Sequence, residues 1–142
     1  MGKFNTGRWI LCGIIAGIVG DIVGSLVDGM MLAPRWTSEM KLLGHSAFGS
    51  TQIVEFNVVG LAIGLVAVWI YAGIRTRFGA GPKTAIYAGL VVWILAFLLP
   101  DISFMYIPHL FSHHLTLYTT LGNLVGCLLG TLTGAALYKE EA

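Results

Sequence analysis

The chain has 142 residues, of which 56% are hydrophobic and only 11% are charged, and its net charge is +1. Roughly a quarter of the residues of a soluble domain are charged, so this composition excludes an ordinary soluble domain. A balance so close to neutral also gives no reason to expect a nucleic-acid partner.

Four long apolar runs occupy most of the sequence and contain few charges. Each is close to the ~20 residues that a helix needs to cross the ~30 Å hydrocarbon core of a bilayer. The sequence therefore predicts an all-α integral membrane protein, with four transmembrane helices in an antiparallel bundle and a single transmembrane domain over residues 1–142. The predicted spans are about 9–32, 53–74, 84–107 and 115–138.

Lysine and arginine residues are distributed unequally between the two sides of the predicted bundle. Only Arg35 and Lys41 fall on one side, whereas six of the eight fall on the other: Lys3, Arg8, Arg75, Arg77, Lys83 and Lys139. Cytoplasmic loops are enriched in positive charge, so both termini are predicted to be cytoplasmic and segments 33–52 and 108–114 to face outward.

Two acids lie within the first run. At ~1.5 Å per residue from Trp9, Asp21 lies ~18 Å into the bilayer, where a carboxylate costs several kcal/mol unless it is neutralised, paired or hydrated. An intramembrane acid is therefore a candidate functional site. Asp28 comes seven residues later, within about 20° of Asp21 around an ideal helix, and Ser25 lies beside them. The sequence predicts one polar face on this helix.

The segment after the first run has its own periodicity. Trp36, Met40 and Leu43 recur at helical spacing. This spacing predicts a short helix that lies at the membrane interface, with Trp36 as its anchor.

A distinctive stretch joins the second run to the third. It reads WIYAGIRTRFGAGPKTA from Trp69 to Ala85, and Ala88-Gly89-Leu90 and Trp93 follow. The stretch resembles a family of small four-helix bacterial inner-membrane proteins, and the length and layout of the whole chain are similar to that family. The resemblance implies a bacterial inner-membrane location. No activity is assigned to the family, so no catalytic residue carries over.

The third run contains Pro100 followed by Asp101 near its outer end. Proline removes one hydrogen bond from the helix and frees the carbonyl of Ala96, so a kink beside an acid is expected. Such a kink can line a cavity, and a proline near a helix end can also be a simple terminator. Both interpretations remain open.

All four histidines fall on the predicted outer side: His45, His109, His113 and His114. If their segment is helical, the i, i+4 spacing of His109 and His113 would place two imidazoles on one metal ion, and a nearby carboxylate could complete the ligand set. Histidines also suit the interface as pH-sensitive groups. Haem would need axial ligands that face each other across a sizeable cavity, so the sequence identifies no cofactor.

Asparagines occur within the second and fourth runs. Asn123 lies at a depth close to that of Asp21, so its side chain could donate a hydrogen bond to Asp21 across a glycine-lined contact. Asn57 lies nearer the outer end. Together with the acids, the asparagines define a predicted intramembrane polar site: Asp21, Asp28, Asn57, Asp101 and Asn123.

Glycines recur at helical spacing in the first, second and fourth runs. Small residues let helix backbones approach closely, which matters because lipid provides no hydrophobic drive for helices to associate. Close packing, within the bundle or between subunits, is preferred here over a pore-lining or mobile helix. The glycines assigned to packing are Gly13, Gly17, Gly20, Gly24, Gly60, Gly64, Gly122, Gly126, Gly130 and Gly134.

The two halves of the chain share features. The pattern Asn-x-x-Gly-x-x-x-Gly begins at Asn57 and again at Asn123, an offset of 66. Asp28 and Asp101 match at an offset of 73. Two related hairpins of the same orientation would explain both matches, and chance alignment of glycine-rich helices is the alternative.

Three functions are compatible with these features. The preferred one is a non-catalytic accessory or assembly subunit, in which intramembrane polar residues join helices and the outer loops dock a partner. The alternative is an oligomeric transport or permeation protein for a small solute or an ion, with an outward-opening polar site. The third is a metal- or haem-binding membrane protein that uses the outer histidines, and an enzyme of this kind is supported by no nucleophile-base motif or C-x-x-C. The implied partners are the lipid bilayer and either further copies of the chain or a larger membrane complex.

Overall fold

The computed structural model describes residues 3–140, and this part of the chain contains helices but no strands. Four helices are long and apolar enough to cross a membrane, which confirms the predicted all-α fold with four spans. A fifth, shorter helix lies between the first two spans. The helices are α1 (Thr6–Met31), α2 (Ala33–Leu42), α3 (Ser50–Phe78), α4 (Pro82–Met105) and α5 (His113–Leu137).

Helix α3 is longer than the predicted span at both ends. It begins at Ser50, where the side chain of Gln52 accepts a hydrogen bond from the backbone N–H of Gly49 at 3.0 Å. Its other end continues through Arg75 and Arg77 to Phe78. Basic side chains favour the carboxyl end of a helix and extend their charges towards the headgroups, so charge does not end the helix there.

The spans form a bundle in which α1 packs against α3 and α5, and α4 packs against the same two helices. Both described chain ends lie at one end of the bundle, because the backbone N–H of Asn5 lies 3.3 Å from the hydroxyl of Tyr138 and donates to it. We call this the termini end. At the opposite end, the α2 end, Glu39 of α2 accepts hydrogen bonds from Ser112, just before α5.

Close backbone contact holds α1 against its two neighbours. A Cβ atom added at Gly64 of α3 would collide with the backbone of Gly13 and Gly17 in α1, and one added at Gly130 of α5 would lie 2.5 Å from the carbonyl oxygen of Ala16. Only glycine fits at these two positions unless the helices separate. By contrast, Gly24 has open space around it and does not pack within the bundle, so its packing between subunits stays a prediction.

The remaining glycines assigned to packing lie between helices. Each has an atom of a neighbouring helix within 4 Å of the position that a Cβ would take. Those on α1 and α3 meet the facing helix or a side chain from it, and those on α5 meet α1. They are Gly13, Gly17, Gly20, Gly60, Gly122, Gly126 and Gly134.

One pair of contacts bears on the suggested relation between the two hairpins. A Cβ at Gly17 of α1 would meet the backbone of Leu61 in α3, and a Cβ at Gly89 of α4 would meet the carbonyl oxygen of Cys127 in α5. Leu61 and Cys127 are separated by the offset of 66 that relates the two asparagine patterns. A common origin of the hairpins stays a prediction.

Both α1 and α4 contain a π-helical turn towards the α2 end. In α4 it covers Ile94–Leu98 and ends two residues before Pro100, where the sequence predicts an irregular helix. The widened turn accommodates the proline ring, which would otherwise press against the carbonyl of Ala96. Because α4 continues to Met105, Pro100 does not terminate the helix.

Candidate binding site

Asp21 and Asp28 face different neighbours, so the prediction of one polar face on α1 is wrong. The carboxylate of Asp21 occupies the space beside Gly60 of α3, whereas Asp28 accepts a hydrogen bond from Thr119 of α5 at 2.7 Å. Helix α1 packs against both α3 and α5, so nearby positions on its surface can meet different helices. Asp28 also lies in a π-helical turn over Val27–Met31, where the rotation per residue differs from that of the regular helix that carries Asp21.

Asp21 lies in a groove between α1 and α3 that opens on the outer surface of the bundle. We call it the Asp21 groove. Its volume is about 360 Å³. A side chain at Gly60 would displace the carboxylate, so glycine at this position leaves room for Asp21. The groove is lined by Ile18, Asp21, Ile22, Ser25, Leu26, Met30 and Asn57.

The carboxylate of Asp21 has neither a hydrogen-bond donor nor a cation beside it within residues 3–140. Asn57 lines the same groove, but its side-chain amide donates to the carbonyl of Ile53 in its own helix, at 2.6 Å. Of the predicted polar site, Asp21 and Asn57 are the two members that line this groove. Asn57 does not bond to Asp21, so the Asp21 carboxylate has no partner within the described residues.

The other two acids of the predicted site form a separate cluster nearer the α2 end. Asp28 of α1 accepts from Thr119, and Asp101 of α4 accepts from the hydroxyl of Thr120, which also lies 2.7 Å from the carbonyl oxygen of Thr116. Two adjacent threonines of α5 thus join α5 to both of its neighbours. We call Asp28, Asp101, Thr119 and Thr120 the acid-threonine cluster.

Helix α2 covers this cluster. The indole N–H of Trp36 donates to Asp28 at 3.1 Å, and the ring makes edge contacts with Phe48 and Phe111 at centroid distances of 5.6 and 5.2 Å. The predicted short helix after the first run is confirmed. Trp36 joins α2 to α1 and to the segment before α5, and its role as an interfacial anchor stays a prediction.

Asn123 joins neither site. The predicted hydrogen bond from Asn123 to Asp21 is wrong, because Asp21 faces α3 and not α5. The residue of α1 that meets α5 at this level is Gly20, whose carbonyl oxygen lies 3.4 Å from the position of a Cβ at Gly126. A shared depth was therefore insufficient to pair the two side chains.

Threonines of the acid-threonine cluster were not among the predicted site residues. The sequence did contain a feature that could have indicated them. Two adjacent threonines near one end of a membrane helix point in different directions and can each face a different neighbouring helix. Counting depth from the outer ends of the spans would have placed Thr119 and Thr120 at the level of Asp28 and Asp101. What the sequence lacked was the helix arrangement, with α5 between α1 and α4.

The histidines do not form the predicted pair. All four are exposed, and residues 106–112, which contain His109, are not helical. His109 has a backbone φ of 61°, and α5 begins only at His113. The condition for i, i+4 placement therefore fails. Within residues 3–140, no three side chains of His, Cys, Asp or Glu are grouped in a way that could hold a metal ion.

Four helices of sufficient length and apolar composition define the chain as a multi-pass α-helical membrane protein. Comparisons with protein-family models, with curated proteins and with solved structures found no match for this chain.

Proposed function

We propose that the protein is a non-catalytic accessory or assembly subunit of a membrane complex. The observation that carries this proposal is the unpartnered carboxylate of Asp21 in a groove on the outside of the bundle. A charged group at membrane depth is costly unless it is paired or hydrated. A partner that fills the groove would supply the missing contacts, which is the behaviour expected of a subunit of a larger complex.

The alternative of transport finds less support in the geometry. A permeation path needs polar groups along one route, but the Asp21 groove opens between α1 and α3, whereas the acid-threonine cluster lies under α2. Backbone contacts at Gly64 and Gly130 close the space between α1 and its neighbours. Glycines proposed as a subunit interface for an oligomeric transporter are also used inside the bundle.

We infer that the termini end faces the cytoplasm of a bacterial inner membrane. Exposed basic residues support this orientation, because Lys3, Arg8, Arg77 and Lys83 all lie at the termini end. Cytoplasmic ends of membrane helices are enriched in such residues. The resemblance to small bacterial inner-membrane proteins supports the location.

Native purification in a mild detergent tests the assembly role. The wild-type chain is expected to co-purify with another membrane protein at a fixed stoichiometry, and Asp21→Asn is expected to lose that protein while keeping its helical content. Glu55→Gln is the matched control, since Glu55 is an exposed acid of α3 that does not line the groove. A chain that purifies alone, with Asp21→Asn abolishing solute or ion flux in reconstituted vesicles, would favour transport.

A further inference from the structure

We infer that the Asp21 groove binds a transmembrane helix of a different protein, one that carries a lysine or arginine within its apolar span. The inference rests on the proposed assembly function and identifies the chemistry of the partner. It depends on three properties of the groove: its depth in the membrane, the absence of a matching cation in this chain, and the shape of its walls.

The depth of Asp21 excludes most sources of positive charge. The residue lies 15 positions after Thr6 and 10 before Met31, so at ~1.5 Å per residue it is ~22 Å and ~15 Å from the two ends of α1. Lipid headgroups are confined to the interfaces of a bilayer with a ~30 Å core. A cation that meets Asp21 must therefore be carried into the membrane by a spanning segment.

A second copy of the chain cannot provide this cation. Basic residues within the spans are all close to the termini end, at Arg8, Arg75, Arg77 and Lys83. Arg8 is 13 residues from Asp21, which corresponds to ~20 Å along the helix. A two-fold axis along the membrane normal would place Asp21 of both copies at the same depth, where two like charges repel.

The walls of the groove suit a helix. One stripe of α1 recurs every four residues, with Ile18, Ile22, Leu26 and Met30 exposed by 46%, 56%, 50% and 70%. Such a stripe can receive the apolar face of a second helix lying along α1. Ser25 and Asn57 line the same groove and carry oxygen acceptors, so a lysine or arginine inserted there would gain hydrogen bonds as well as an opposite charge.

A bare metal ion is a weaker occupant. Asp21 supplies one carboxylate, and no three His, Cys, Asp or Glu side chains within residues 3–140 come together around an ion. Divalent cations take several oxygen or nitrogen ligands at once. A basic side chain on a helix needs only the carboxylate and its polar neighbours.

Synthetic helices of known sequence test the chemistry directly. Three probes share one leucine-rich span and differ only at the central residue, which is Lys, Leu or Asp. Each is labelled and mixed with the labelled wild-type chain in phosphatidylcholine vesicles, and association is measured by energy transfer. We expect the Lys probe to bind at least tenfold more tightly than the Leu probe, and Asp21→Asn to remove that difference. Glu55→Gln should preserve it.

Reversing the charge at position 21 distinguishes a loss of charge pairing from a general loosening of the fold. Asp21→Lys is expected to lose the Lys probe and to gain the Asp probe, which no general loosening of the fold would produce. Equal binding of the Lys and Leu probes to the wild-type chain would overturn the inference. Stronger energy transfer between two copies of the chain than between the chain and the Lys probe would overturn it too, in favour of self-association.

The native complex separates failure of this inference from failure of the proposed function. A photoreactive cross-linker attached at Ile22→Cys, on the groove wall, reports what occupies the groove in the source membrane. A cross-linked protein whose apolar spans contain a lysine or arginine supports both conclusions. A cross-linked protein without one keeps the assembly role and rejects the basic partner, and cross-links to lipid alone reject the assembly role.

Discussion

The acid-threonine cluster and the Asp21 groove use the same kind of residue in opposite ways. Asp28 accepts hydrogen bonds from Thr119 and Trp36, and Asp101 accepts one from Thr120, so each carboxylate joins its own helix to a neighbour. Asp21 has no such partner within residues 3–140 and lies at the surface of the bundle. The contrast shows that the role of an intramembrane acid depends on the hydrogen-bond donors around it and not only on its depth in the membrane.

The largest loss of stability is expected from a substitution at Thr120, which is only 4% exposed. Thr120→Val keeps the shape of the side chain but leaves the Asp101 carboxylate without its donor. Leaving a buried polar group unsatisfied costs about 1–3 kcal/mol, so the free energy of unfolding in mixed micelles should fall by that amount.

Two further variants control the Thr120 measurement. Thr133→Val removes an exposed hydroxyl that bonds only within α5, to Leu129, and should change the unfolding free energy by less than ~0.5 kcal/mol. Adding Asp101→Leu to Thr120→Val should recover much of the loss, because replacing both partners by apolar groups can be nearly neutral. A loss equal to that of Thr133→Val would show that the Asp101 contact contributes nothing.

A smaller effect is expected where α2 meets the cluster. Trp36→Phe keeps an aromatic ring against Phe48 and Phe111 but removes the N–H that donates to Asp28. Since Thr119 still donates to Asp28, the loss of unfolding free energy should be about 0.5–1.5 kcal/mol. Hydrogen exchange should accelerate in α2 more than in the spans.

Trp69→Phe is the matched control for this change. Trp69 is 58% exposed, and its indole donates no hydrogen bond within the described residues. Its replacement should leave both the unfolding free energy and exchange in α2 unchanged. Equal protection of α2 in wild type and Trp36→Phe would mean that the hydrogen bond from Trp36 to Asp28 is not needed to hold α2 over the cluster.

Apolar run length predicted the four spans, because a helix must bury about the same number of residues in any bilayer. Helical spacing likewise predicted α2 from Trp36, Met40 and Leu43. These features depend on local periodicity and bilayer thickness. Local periodicity is a property of the sequence and thickness is a property of the bilayer, so the spans and α2 could be predicted without knowing how the helices are arranged.

The candidate site was only partly predictable, because its geometry depends on helix rotation. An ideal helix places Asp28 on the face of Asp21, but α1 packs against both α3 and α5, and Asp28 accepts its hydrogen bond from Thr119 of α5. Asn123 shares the depth of Asp21 yet lies on a helix that Asp21 does not face. One predicted site is therefore two, because its members meet different neighbouring helices.

The smallest expected change in stability is at Asp21 itself, and it tests the comparison most directly. Asp21→Leu removes an unpaired carboxylate and breaks no hydrogen bond within residues 3–140. The free energy of unfolding should therefore stay within ~0.5 kcal/mol of the wild type or rise. Asp28→Leu is the matched acid, and it should be clearly destabilising because Thr119 and Trp36 would both lose their acceptor. If both variants were equally destabilising, Asp21 would hold the fold together as Asp28 does, and the groove would need no partner.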